Sequence, residues 1–336
     1  MKNVVTLFVA MFFFNQSTKA QVPKKVLVEH FTNSVCSVCA SLNPGFYTNL
    51  NKQTGVIHIA IHPSSPYSSC LFNKHNVAEN DARTNYYGVY GSTPRLAIQG
   101  VVIPSNANYS SASLFTPYLG QTSPASIKIY QYKFGKDSIR SKIVIKTAAS
   151  HSLTNLKLIV FLAEDTVFYN SPNGETKHYD VFRKTLTGTS GVSITLPANI
   201  DDSVVYIQSS PSNSAWNFSR IYTLAVLQDG SSKAIIQSES VPAKTNDPVT
   251  GINTESALGM DMNVLIENGI ISIKQYSGIK NPDFSLFDLS GKKLFNKTLQ
   301  ADQEQINISH LAPGVYLYVI KSTDTTIKTG KLLLTH

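Results

Sequence analysis

The chain has 336 residues, of which 42% are hydrophobic and only 15% charged, with a formal net charge of +8. The lysines are scattered, without a run of like charge or a basic stripe interleaved with aromatics, which argues against a nucleic-acid partner. Three cysteines are too few for a disulfide framework, so packed cores must supply the stability.

The first twenty residues have the layout of an export signal. Met1-Lys2-Asn3 is a positive head, Val4 to Phe14 an uncharged apolar run, and Asn15 to Ala20 a polar stretch ending on a small residue where a signal peptidase cuts. At about eleven residues the run falls short of the roughly 20 that a membrane-spanning helix needs. No later stretch reaches that length, so no transmembrane span is expected. No cysteine follows the cut, which leaves a lipid anchor without its attachment point. The expected location is outside the cytoplasm: the periplasm in transit, then the outer-membrane surface or the medium.

The remaining length predicts two or three domains. In residues 21–122, KVLVEHF (Lys25–Phe31) and VIHIAIH (Val56–His62) are strand-forming, and Val38–Leu50 and Lys74–Tyr87 have helical character. Arg95–Gln99 and Val101–Ile103 form strands on either side of Gly100. This order of elements predicts an α/β domain. Residues 123–243 change character. ASIKIYQYKF, SKIVIKTAA, LKLIVFLAEDTV, GVSITLPA, SVVYIQSS, IYTLAVLQD and KAIIQSESV are seven strand candidates, predicting an immunoglobulin-like β-sandwich. Trp216, the only tryptophan, falls at an edge or in a loop of it. Residues 244–258 are rich in Pro, Thr, Asn and Ser and form a linker. Residues 259–336 return to short strands, with a hairpin at LSGKK, as a small C-terminal β-sandwich.

The sharpest chemical signal is Cys36-Ser37-Val38-Cys39, which follows a strand and opens a helix. A thiol at a helix N-terminus meets unpaired N–H groups and the positive end of the dipole, which favour its thiolate. The second sulfur, one turn on, can resolve a mixed disulfide. Zinc sites use the same spacing, and Cys36, Cys39 and Cys70 with His58, His62 or His75 would make a ligand set. A second paired motif is missing, however, and His58 and His62 alternate along an apolar strand. A redox pair or a plain disulfide is therefore the reading adopted, with no metal and no cofactor. Cys70, in HPSSPYSSC, is a buried spare thiol, a covalent partner site or a third redox cysteine. His178-Tyr179-Asp180 and Glu164-Asp165 show no catalytic order and are assigned to polar loops.

VLVEHFTNSVCSVC and GSTPRLAIQG together resemble the thioredoxin superfamily over residues 24–105. That resemblance implies a thioredoxin-like head with Cys36 attacking and Cys39 resolving. It also implies a cis Pro94 beside the disulfide, a Thr93 backbone that pairs with a bound chain, and Glu29 as a proton acceptor. The partners it implies are protein thiols or disulfides of exported proteins. Val35 stands in place of the usual tryptophan, and Ser37-Val38 in place of Gly-Pro. With the following sandwich, the chain resembles the twenty-eight-kilodalton outer-membrane protein family of Bacteroidetes-type bacteria. DFSLFDLSGKKLF, INISHLAPGVYLYVIK and KTGKLLL resemble the type A C-terminal sorting domain of type IX secretion cargo, which implies contact with the secretion machinery through residues 259–336. Two functions stay open: a thiol–disulfide oxidoreductase or isomerase acting on exported proteins, and a non-catalytic surface protein in which Cys36–Cys39 is a structural disulfide.

Overall fold

The computed structural model describes residues 21–134, 136–247, 262–267, 269–275, 281–300, 303–322 and 325–334. The expected signal segment, 1–20, and residues 248–258 of the expected linker lie outside the described residues.

The first third opens with β1 (Val22–Pro23) and β2 (Val26–Phe31), then α1 (Ser37–Leu50) and β3 (Val56–Ile61). The short α2 (Leu71–Lys74) and α3 (Val77–Tyr86) follow, then β4 (Arg95–Ile98) and β5 (Val101–Val102). All six residues of β2 are buried, as expected for a strand covered on both faces. Val26 and Val28 share a cluster with Phe46 of α1, while Leu27 and Phe31 pack with Tyr87, at the end of α3. β2 pairs parallel with β3 and antiparallel with β4.

The middle segment contributes β6 (Thr122–Ser123), β7 (Ala125–Phe134), β8 (Ser138–Thr147), β9 (Leu156–Phe168) and β10 (Lys177–Thr185). β11 (Val192–Ile194), β12 (Ser203–Pro211), β13 (Ile221–Asp229) and β14 (Ile235–Ser240) complete it. β10 replaces what the sequence assigned to a polar loop, and it is the seam of the molecule. It pairs antiparallel with β9 and parallel with β3, with Val181 opposite Ala60. The result is one nine-stranded sheet in the order β14-β13-β9-β10-β3-β2-β4-β5, with β11 added on β9. A three-stranded sheet, β12-β8-β7, packs over its β9 and β13 strands through Ile127, Ile143, Leu158, Val160 and Ala225.

This corrects the expected fold class. A thioredoxin-like α/β domain standing beside an immunoglobulin-like sandwich is not what the chain forms. Strands dominate, the α-helices among the described residues are α1, α2 and α3, and β9, β10, β11, β13 and β14 of the middle segment share one sheet with β2 to β5 of the first. The physical reason is β10, whose pairing with both β9 and β3 joins the strands of the two segments.

The C-terminal part comprises β15 (Met262–Glu267), β16 (Ile270–Gln275), β17 (Asp283–Phe287), β18 (Lys293–Thr298), β19 (Gln303–Asn307), β20 (Gly314–Ser322) and β21 (Thr325–Leu334). They form a three-stranded sheet, β15-β16-β19, and a four-stranded one, β18-β17-β20-β21. The two close on their own core of Ile271, Ile273, Phe284, Leu286, Ile306, Tyr318 and Ile320. At the β17–β18 turn the Asp288 carboxylate accepts from the Ser290 and Lys292 amides, at 2.9 and 3.0 Å.

Candidate functional site

Asn33 shapes the turn that carries the cysteines. Its Oδ1 accepts from the Val35 amide at 2.9 Å, a local side-chain turn that leads the chain from β2 into α1. Its Nδ2 donates to the Pro63 and Tyr67 carbonyls, tying the turn to the loop after β3. Cys36 is then the N-cap of α1 and is bonded to Cys39, with 5.2 Å between their Cα atoms. The Cys36 Sγ accepts from the Cys39 amide at 3.0 Å, one of the orphan donors of the first helical turn.

The disulfide is covered. Cys36 is 1% exposed and Cys39 0%, while Ser37 and Val38 between them face solvent. The β9–β10 loop is hydrogen-bonded to the backbone of the same turn. Asn173 donates from its backbone to the Ser34 carbonyl, and from Nδ2 to the Cys36 carbonyl at 3.1 Å and the Asn33 carbonyl at 3.3 Å. Glu175, itself held by Asn173 Nδ2 at 2.7 Å, accepts from Asn43 of α1 at 2.8 Å. No motif in the sequence pointed to Asn173; an Asn-Gly turn (Asn173-Gly174) was its only signal.

Pro94 follows a cis peptide bond from Thr93, and the Thr93 carbonyl oxygen lies 3.6 Å from the Cys36 Sγ. Cys36, Cys39, Thr93 and Pro94 are thus gathered in one place. Glu29 is not gathered with them. Strand alternation turns it toward α3, the face opposite α1, where it is 0% exposed. Arg83 Nε and Nη2 donate to its two carboxylate oxygens at 2.6 and 3.0 Å, and the Tyr87 hydroxyl donates at 2.5 Å. Burial is the largest single influence on Arg83 and would lower its pKa, but the charge and hydrogen bond of Glu29, with Tyr87 and Tyr86, together outweigh it and raise the pKa above the ordinary guanidinium value. Cys70 is fully buried with its thiol 3.2 Å from the Ser34 hydroxyl, packed among Phe72, Val181 and Val35.

The histidines weighed as zinc ligands do other work. His58 pairs with Asp180 Oδ2 at 2.9 Å and lies 3.4 Å from His30, and Tyr222 donates to Asp180 Oδ1 at 2.8 Å. His58, Asp180 and Tyr222 line a cavity of about 470 Å³, as does Asp165. Burial pushes the Tyr222 hydroxyl well up, with the Asp180 charge adding to it. Asp180, assigned to a loop from sequence, therefore sits on a central strand in a left-handed conformation, φ 51°. His62 stacks against Phe72, and His75 accepts from Arg183 at 2.7 Å. Among the described residues no three His, Cys, Asp or Glu side chains gather as a metal ion would require.

Residues 267–335 match the family model of the secretion system C-terminal sorting domain. Among solved structures, HBP35 of Porphyromonas gingivalis aligns over 94% of this chain and 100% of its own, with a TM-score of 0.58 and 16% identity. That likeness concerns the fold alone. A domain of the outer membrane lipoprotein Omp28 from Porphyromonas gingivalis aligns over 37% of this chain and 92% of its own at 13% identity, with a TM-score of 0.29, too low to argue from. No curated protein matches the chain. The chain carries a type IX sorting domain, which engages that secretion machinery and directs the protein to the outer-membrane surface or the medium.

Proposed function

We propose that this is a non-catalytic surface protein in which Cys36–Cys39 is a structural clasp holding the β2–α1 turn beneath the β9–β10 loop. The observation that carries this reading is the burial of both cysteines, at 1% and 0% exposure, in a turn whose backbone Asn173 holds. Exchange needs an in-line approach of a thiolate to a sulfur, and burial of this degree leaves little room for it. Glu29 adds support, because its carboxylate is committed to Arg83 and Tyr87 rather than free to take a proton. A clasp over so short a loop stabilises by about 2 kcal/mol through the unfolded chain. Double replacement of Cys36 and Cys39 by Ser should lower stability by that amount in urea titration, while the native chain shows no turnover with insulin as a disulfide substrate. Sustained insulin reduction by the native chain with dithiothreitol as co-reductant, abolished in Cys36→Ser, would overturn the reading.

One observation favours the second reading, thiol–disulfide exchange on exported proteins. Cys36 caps α1, where the helix N-terminus favours a thiolate, and the Thr93 backbone runs beside it. On that reading Asn173 is a gate. Asn173→Ala would then start insulin reduction in a chain otherwise inactive; on the clasp reading it only loosens the loop.

A further inference from the structure

Three loops at one end of the β12-β8-β7 sheet enclose a groove of about 820 Å³. They are the β7–β8 turn, the β12–β13 connection and the segment after β14. Its polar lining consists of three asparagine amides, the hydroxyls of Ser212, Ser214 and Ser219, and lysines. Asn213 Oδ1 is used by the Ala215 amide at 2.8 Å, and Asn246 Oδ1 by the Lys133 amide at 2.8 Å. Because both partners are N–H donors, each carboxamide must turn its oxygen inward and leave its Nδ2 group as the outward donor. Asn217 spends its oxygen on the Ser219 hydroxyl at 2.7 Å in the same way. All three asparagines are exposed, and no described residue accepts from their Nδ2 groups. Lys136 and Lys244, also exposed, add two ammonium groups, and no carboxylate is among the described residues of the lining. Trp216 and Phe218, both half-buried, also line it, with the Lys133 ammonium 5.9 Å from the Phe218 ring centre.

We propose that this groove binds an anionic saccharide, its rings against Trp216 and Phe218 and its carboxylate or sulfate groups on the amides and lysines. Asparagine N–H groups beside two ammonium groups, with no carboxylate among the described lining residues, favour a ligand that is rich in acceptors and anionic. Aromatic lining suits a pyranose face and contributes little to a compact inorganic anion. Loops at the end of a sandwich, on a protein sent to the cell surface, are also where such a ligand is met.

Binding of the purified full chain to polygalacturonate, dextran sulfate and neutral dextran, followed by calorimetry at low and physiological salt, tests this. One or both anionic polymers should bind with salt-sensitive affinity and neutral dextran should not; which anion binds tells carboxylate from sulfate. The combined change Asn213→Asp and Asn246→Asp keeps both inward oxygens, removes both outward donors and should weaken binding about tenfold or more. Lys52→Glu, which changes net charge by the same amount at a remote exposed position, should leave binding within about twofold. The proposal is overturned if no polymer binds, if neutral dextran binds as well as the anionic ones, or if Lys52→Glu weakens binding as much as the asparagine pair. An unchanged thermal melt of the asparagine variant confirms that it is folded.

Discussion

Glu29 shows how far one residue's role departs from its sequence context. From position alone it resembled a proton acceptor behind the cysteines; its neighbours make it half of a buried ion pair that pins α3 to the sheet. Removing one partner of such a pair leaves the other charge stranded. Glu29→Gln should therefore cost about 3–5 kcal/mol in urea unfolding. The buried histidines give a second residue-scale prediction. Burial holds His30, His62 and His178 below the ordinary histidine value of 6.5, and neighbouring positive groups lower His30 and His62 further. Below that value the unfolded chain takes up protons that the folded chain refuses. Stability is thus full above about pH 6.5 and falls as the pH drops toward the folded values, by at most about 1.4 kcal/mol per unit per group. Melting temperatures at pH 7.5, 6 and 5 should fall in that order. His62→Leu should flatten the fall, and a slope that steepens would contradict the assignment.

At the scale of elements, β2, β3, β9 and β13 were legible because burial on both faces writes near-continuous apolar runs. β10 was not, because KHYDVFRKT carries six charged or titratable side chains. They are tolerated inside because partners meet them: Arg183 is paired with Glu164 at 2.7 Å, and Asp180 with His58 and Tyr222. Such partners lie more than a dozen residues away, so no local period reveals the strand. The cysteine turn and the Thr93-Pro94 pair were visible as local motifs; the tie from Asn173 to the backbone of that turn was long-range and therefore invisible. The β4–β5 turn supplies a test of how tightly the two halves of the sheet are joined. Gly100 has φ +85°, and a Cβ there would collide with the Lys233 carbonyl beyond β13. Gly100→Ala should destabilise by more than the ~1 kcal/mol of backbone strain alone, measured by the urea midpoint. A neutral result would mean that the Lys233 loop does not close over β5.

For the whole molecule, the sorting domain has a core of its own, so deletion of residues 259–336 should leave the rest folded but held in the periplasm. Surface display of the truncated chain would contradict that division of labour. In the remainder, segments that the sequence suggested were separate share one nine-stranded sheet, with the disulfide turn clamped where they meet. The central claim is that Cys36–Cys39 is sealed in the folded protein. Alkylation with mass-spectrometric detection across graded dithiothreitol tests it most directly. The account predicts that neither cysteine is labelled at reductant levels that fully open an exposed peptide disulfide, and that both are labelled once urea unfolds the chain. Labelling of Cys36 in the folded protein at those same reductant levels would contradict it.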